Sequence, residues 1–211
     1  MSPDPFLGRG FFYPVNVSTP IAFWIIAAVL GFWVVGAYNR LVRLRAEAIA
    51  AFTGLETELI QQVELVRKHL PATEATMPAA LEPEGSIWAG LHGAAGQCAV
   101  SLAAARNRPL EPQGIAALGA ARDVLGMAWA RAERDDAHDL AGPRLPDTMI
   151  ARRAQLALQT HSAVLLFNQA VARYNAGIAQ FPAIMLAWVF GFKPGLGLDP
   201  RDDELLRERR T

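Results

Sequence analysis

Residues able to carry acid–base or metal chemistry are few and scattered in this chain. His69, His92, His138 and His161 stand without ligand spacing, and no HExxH, glycine-rich phosphate loop, GxSxG or paired-cysteine motif occurs in the 211 residues. The one dense run of donors is DDAHD at 135–139. Asp135 and Asp139 share a helix face at i, i+4 and, with His138 beside them, form the outline of a weak metal site; a solvated helix end accounts for the same residues more simply. Cys98 is the single cysteine, which excludes an intramolecular disulfide and a cysteine-based zinc site, and its Ala-rich surroundings suit a small core residue. Arg152 and Arg153 can pair with the acidic end of the preceding helix or stay in water. No catalytic, cofactor-binding or metal site emerges, and an enzyme is the least supported class.

The repeated unit in the chain is architectural. An aromatic followed by asparagine and, three residues later, an aliphatic occurs as Phe167-Asn168 with Val171, as Tyr174-Asn175 with Ile178, and far upstream as Tyr38-Asn39 with Val42. Each asparagine lies one position past an aromatic on a helix seam, where its amide can bond across to a backbone carbonyl or another amide. An amide left unpaired in such a place costs about 1–3 kcal/mol, so it penalises a slipped register. Ordinary helix-surface asparagines beside core aromatics are the plainer alternative.

Hydropathy defines the elements that carry these units. No charged residue lies between Arg9 and Arg40, and IAFWIIAAVLGFWVVGAY (21–38) is apolar on all sides. At about 1.5 Å rise per residue it spans roughly 27 Å, close to the hydrocarbon thickness of a bilayer. It therefore reads as a transmembrane helix, with a cleaved signal peptide as the weaker alternative because the apolar run is long and the residues before it barely basic. Arg40, Arg43 and Arg45 crowd its C-terminal flank, which places residues 1–19 outside and the bulk of the chain in the cytoplasm. Trp24 and Trp33 face lipid in this reading. Acidic and basic residues balance at 20 each, a composition that disfavours nucleic acid as a partner.

No glycine or proline stop separates the span from the helical pattern C-terminal to it, and Leu41, Leu44, Ala48, Phe52, Leu55, Leu59, Val63, Val66 and Leu70 continue at steps of three and four. Proline-rich stretches at 71–85, 107–113 and 141–147 divide the remainder into further helices over about 86–106, to about 138, and from Asp147 to about 181. In the last of these Phe167, Val171, Tyr174, Ile178 and Phe181 form a seam that Pro182 closes. The expected fold is all-α: an antiparallel up-and-down four-helix bundle (40–182) preceded by a transmembrane helix (20–39) continuous with its first helix. Parity returns the last helix to the membrane end, so the three aromatic-asparagine units gather there. Residues 183–198 come next as an apolar membrane-proximal segment whose Trp188, Phe190 and Phe192 either rest on lipid or cap the bundle. Residues 199–211 form a charged tail.

GAYNRLVRLR (36–45) directly after a membrane helix, and FNQAVARYNAGIAQFP with AWVFGFKP (167–194), resemble the LemA family of bacterial membrane proteins. The resemblance implies a helical bundle behind a single membrane helix in the bacterial inner membrane, with no established biochemical function. Between 51 and 70 the chain departs from the family pattern: Gln61-Gln62 stand where a basic pair is usual, and ELVRKHL (64–70) lacks the family's proline. The functional expectation is a non-enzymatic scaffold or adaptor for a protein partner that the sequence does not identify, with a membrane-associated signalling or lipid-sensing module as the alternative. Membrane lipid is a partner in both, no cofactor is implied, and oligomeric state is left open.

Overall fold

The computed structural model describes residues 18–69, 87–138, 147–181 and 183–198. These form five helices and, among the described residues, no strand: α1 (Ser18–His69), α2 (Ile87–Asn107), α3 (Pro112–His138), α4 (Asp147–Ala179) and α5 (Ala183–Phe190). Asp147 opens α4, where its carboxylate meets the positive end of the helix dipole.

α1 has two halves of different chemistry. Its first half is apolar and uncovered; the most apolar 18-residue window has mean hydropathy 1.7 and is 6% buried. One helix near the N-terminus is thus long and apolar enough to cross a membrane. The second half is amphipathic, and the expected face is the buried one: Leu41, Ala48, Phe52, Leu55, Leu59, Val63 and Val66 are buried and Leu44 partly so. The step of three and four keeps these side chains on one stripe along the helix.

α4 supplies the opposing stripe with Leu156, Thr160, Val164, Phe167, Val171, Tyr174 and Ile178, all buried. Low positions of α1 meet high positions of α4: a Cβ on Gly177 would lie 2.6 Å from Leu44 Cδ1, whereas Gln62 Nε2 donates to Thr160 Oγ1 at 2.7 Å and Arg152 to Gln61 Oε1 at 3.2 Å. Phe52 and Phe167 meet edge to face at 5.6 Å, a geometry that adds about 0.5–1.5 kcal/mol to the burial of the rings. α2 lies against α1 and α3; a Cβ on Gly114 of α3 would stand 3.7 Å from the Ala105 backbone of α2.

The core is layered along the rod. A layer next to the apolar half of α1 holds Leu41, Tyr174, Ile178 and the inner face of α5; a middle layer is built around Phe52, Phe167 and Leu118; a far layer contains Val66, Leu91, Cys98 and Trp129. Among the described residues no Cα of α3 lies within 8 Å of a Cα of α4. At the far end that gap is bridged by side chains, the Arg153 guanidinium pairing with the Glu133 carboxylate and lying 5.4 Å from the Trp129 ring. In the middle layer it is filled by another part of the chain, the segment 193–198.

Candidate functional site

α5 continues almost directly from α4. The Ile184 N–H donates to the Gln180 carbonyl at 2.9 Å, a helical spacing carried across the turn. α5 then stops at Gly191, whose φ of +69° is the left-handed conformation that glycine adopts without penalty. The Phe192 N–H reaches back to the Ala187 carbonyl at 2.9 Å, closing a six-residue Schellman cap with Phe192 against Ala187. This cap redirects the chain back along α4.

The returning segment KPGLGL (193–198) is non-helical and is held by the two asparagines of the doubled phrase. Tyr174 Oη donates to the Lys193 carbonyl at 3.0 Å. Asn175 pairs twice with Gly195, donating Nδ2–H to its carbonyl at 2.8 Å and accepting its N–H at 2.9 Å. Asn168 Oδ1 accepts the N–H of Leu198 at 2.8 Å in a buried setting. The side-chain amides thus do what a neighbouring strand would do for an extended peptide.

The spacing explains itself in lengths. Seven residues of helix rise about 10.5 Å, and three residues of extended chain cover about 10 Å. Asn168 and Asn175 can therefore engage positions 198 and 195 of one straight peptide running opposite to α4. Glycine is required where the peptide touches its neighbours: a Cβ on Gly197 would sit 2.8 Å from Asn168 Oδ1, and one on Gly119 of α3 would meet the Leu198 carbonyl at 3.2 Å. Leu198 enters the middle core layer at 3% exposure, so the segment is a strap wedged between α3 and α4. Asn168 Nδ2 is buried without a partner. The Tyr174 hydroxyl is held protonated to higher pH than usual by burial, with Arg45 opposing.

The third copy lies at the same end of the rod as Tyr174 and Ile178, Leu41 beside it packing in one cluster with them, but its asparagine takes no part in holding the strap. Asn39 is exposed and has no side-chain hydrogen bond among the described residues. Val42 is 42% exposed because Leu41, one step round the helix, takes the seam position. Tyr38 lies at the rim, its ring 5.0 Å from Phe190 and 6.2 Å from Phe192. Phe181 also departs from the seam: α4 ends at Ala179, the turn carries the side chain outward to 73% exposure, and its ring stands 6.0 Å from Trp33. Pro182 lies outside the described residues, as do 1–17 and 199–211. Phe167, Val171, Tyr174 and Ile178 are buried.

α5 divides the two alternatives for 183–192 between its faces. Ala183, Leu186 and Ala187 are buried against α1 and α4, whereas Ile184, Met185, Trp188 and Val189 point outward, Trp188 at 87% exposure. Phe190 is exposed beside Tyr38, and Phe192 is half-buried with the Arg45 guanidinium 6.0 Å from its ring, so Phe192 packs on α1 instead of facing outward. Trp24 is exposed on the apolar half of α1. Cys98 is buried in the far layer. The side chains of 135–138, and Asp139, fall outside the described residues. No family model, curated protein or solved structure matches the chain.

Proposed function

We propose that this protein is a single-pass, membrane-anchored helical scaffold or adaptor whose bundle presents a surface to a protein partner. The carrying observation is an apolar sleeve on α1 that no part of the described chain covers, with the outward apolar face of α5 beside the end of that sleeve. Water is a poor solvent for a contiguous surface of this size, and a bilayer is the covering that fits its length. The opposite order of contacts along α1 and α4 supports an antiparallel up-and-down arrangement of α1–α4, continuous with the anchor. The basic flank at Arg40, Arg43 and Arg45 favours an outside N-terminus and a cytoplasmic bundle in the bacterial inner membrane. Likeness to the LemA family rests on 36–45 and 167–194 and agrees with this reading.

The membrane part is tested by alkaline carbonate extraction of native membranes together with labelling of single cysteines at Ser2 and Gln97. Retention in the pellet, with Ser2→Cys reached only from outside and Gln97→Cys only after permeabilisation, is expected; release into the supernatant overturns it. The scaffold part is tested by crosslinking and mass spectrometry. A partner recovered reproducibly and lost on charge reversal of exposed bundle residues is expected. A second reading, a lipid-sensing module, is favoured by α5, which presses one face on the core and leaves an apolar one outward.

A further inference from the structure

We propose that the cavity where α1, the α2–α3 turn and the strap meet binds a phosphate-bearing anion, the headgroup of an anionic lipid at the membrane surface. The cavity has a volume of about 480 Å³ and is lined by Arg45 of α1, Arg108 and Glu111 of the turn, and Tyr174, Phe192 and Lys193. Its cationic side chains are Arg45, Arg108 and Lys193. Glu111 is the single acid, paired with Arg108 at 3.5 Å, which leaves a surplus of two positive charges. α2 ends and α3 begins at this cavity, so their opposite dipole ends offset and the side chains decide its sign.

The mouth is built, not incidental. The Tyr174 hydroxyl pins the Lys193 carbonyl, the Schellman cap fixes Phe192, and the Phe192 ring supports the Arg45 guanidinium. Leu110 packs on the same core layer as Leu196 and Leu198 of the strap, and a Cβ on Gly195 would stand 3.4 Å from it, so the strap lies against the turn that carries Arg108. Planar guanidinium groups suit phosphate oxygens bidentately, and a lysine adds a point charge.

Its depth suits a headgroup, a step that rests on the membrane reading of α1. Arg45 lies seven residues beyond Tyr38, about 10 Å along the helix. The polar layer of a bilayer adds about 5–8 Å beyond the hydrocarbon on each side. An arginine side chain spans the difference by reaching back toward the lipid.

The test uses the full chain in dodecyl maltoside micelles, where bilayer insertion is not required. Dihexanoyl phosphatidylglycerol, dihexanoyl phosphatidylcholine and inorganic phosphate are titrated separately, and bound species counted by native mass spectrometry. Phosphatidylglycerol is expected to bind more tightly than phosphatidylcholine. Arg45→Gln, Arg108→Gln and Lys193→Gln each weaken it about fivefold, the equivalent of about 1 kcal/mol per basic residue near a surface. Glu111→Gln tightens it by a similar factor, which a merely structural role does not produce. Arg67→Gln, about 33 Å further along α1, leaves it unchanged. Saturable binding of inorganic phosphate with the same mutational pattern and no lipid preference supports the site and assigns it a soluble phosphate. Equal binding of both lipids with no phosphate binding, or an equal loss in Arg67→Gln, overturns the proposal. Failure of carbonate retention with this pattern intact overturns the anchor alone.

Discussion

Removing the Asn168 amide should loosen the strap at a position that can be named beforehand. Asn168 Oδ1 is the acceptor for the buried Leu198 N–H, and alanine there leaves that donor without a partner. The cost is about 1–3 kcal/mol, which raises the frequency of local opening about 5- to 150-fold. Asn175→Ala removes two bonds to Gly195, but that site is only part-buried and water can replace them, so about 1–2 kcal/mol is expected. Amide hydrogen exchange of the full chain in micelles, read by NMR, separates the two. Asn168→Ala should accelerate Leu198 most, Asn175→Ala should accelerate Gly195 most, and the amides of α2 should stay near wild-type rates. Wild-type exchange at both positions in the double variant would refute the clamp. Uniform acceleration through α2 and α3 would instead show that the asparagines serve the whole bundle.

Gly197→Ala places a Cβ 2.8 Å from the same Asn168 oxygen, so a loss of about 1–3 kcal/mol is expected in urea unfolding. Combined with Asn168→Ala the cost should fall short of the sum, because the clashing atom is gone. Burial pushes the Cys98 thiol above its ordinary 9.0, with Arg122 opposing. A raised folded pKa leaves stability intact below pH 9 and erodes it as pH climbs toward the folded value, so Cys98→Ala should flatten the decline measured above pH 9. Tyr174 contributes a similar decline above pH 10 that this substitution leaves in place. Glu133→Gln breaks the pair that bridges α3 and α4; its carboxylate is about one-third exposed, so the loss should be at most about 1 kcal/mol and shrink with salt in thermal melts.

The helices and the buried faces of α1 and α4 were legible because apolar steps of three and four, broken by proline, have few other solutions. Errors fell where a single angular step or a helix end decides the outcome. Val42 adjoins the seam without entering it, and Phe181 would have continued the heptad had α4 not stopped two residues earlier. The partner of the doubled asparagine was hidden for a different reason. KPGLGL has no periodicity, and its burial depends on a gap between α3 and α4 that no local pattern encodes. One signal was present: a heptad of helix matches three residues of extended chain in length. Two amides that far apart on one face therefore suit a straight peptide better than each other. The cavity beside the strap was out of reach for the same cause, since Arg45, Arg108 and Lys193 come from three separate parts of the chain.

The proposed anchor places α5 at the bilayer beside the exit of α1. The most direct measurement keeps Trp188 as the only tryptophan, replacing Trp24, Trp33, Trp88 and Trp129 by Phe, and reads its fluorescence in vesicles containing lipids brominated near the glycerol end of the acyl chain. Strong quenching, with emission shifted to shorter wavelength than in micelle-free urea, is predicted. Emission at water-exposed wavelengths, unaffected by the brominated lipid while the chain remains inserted, would contradict it.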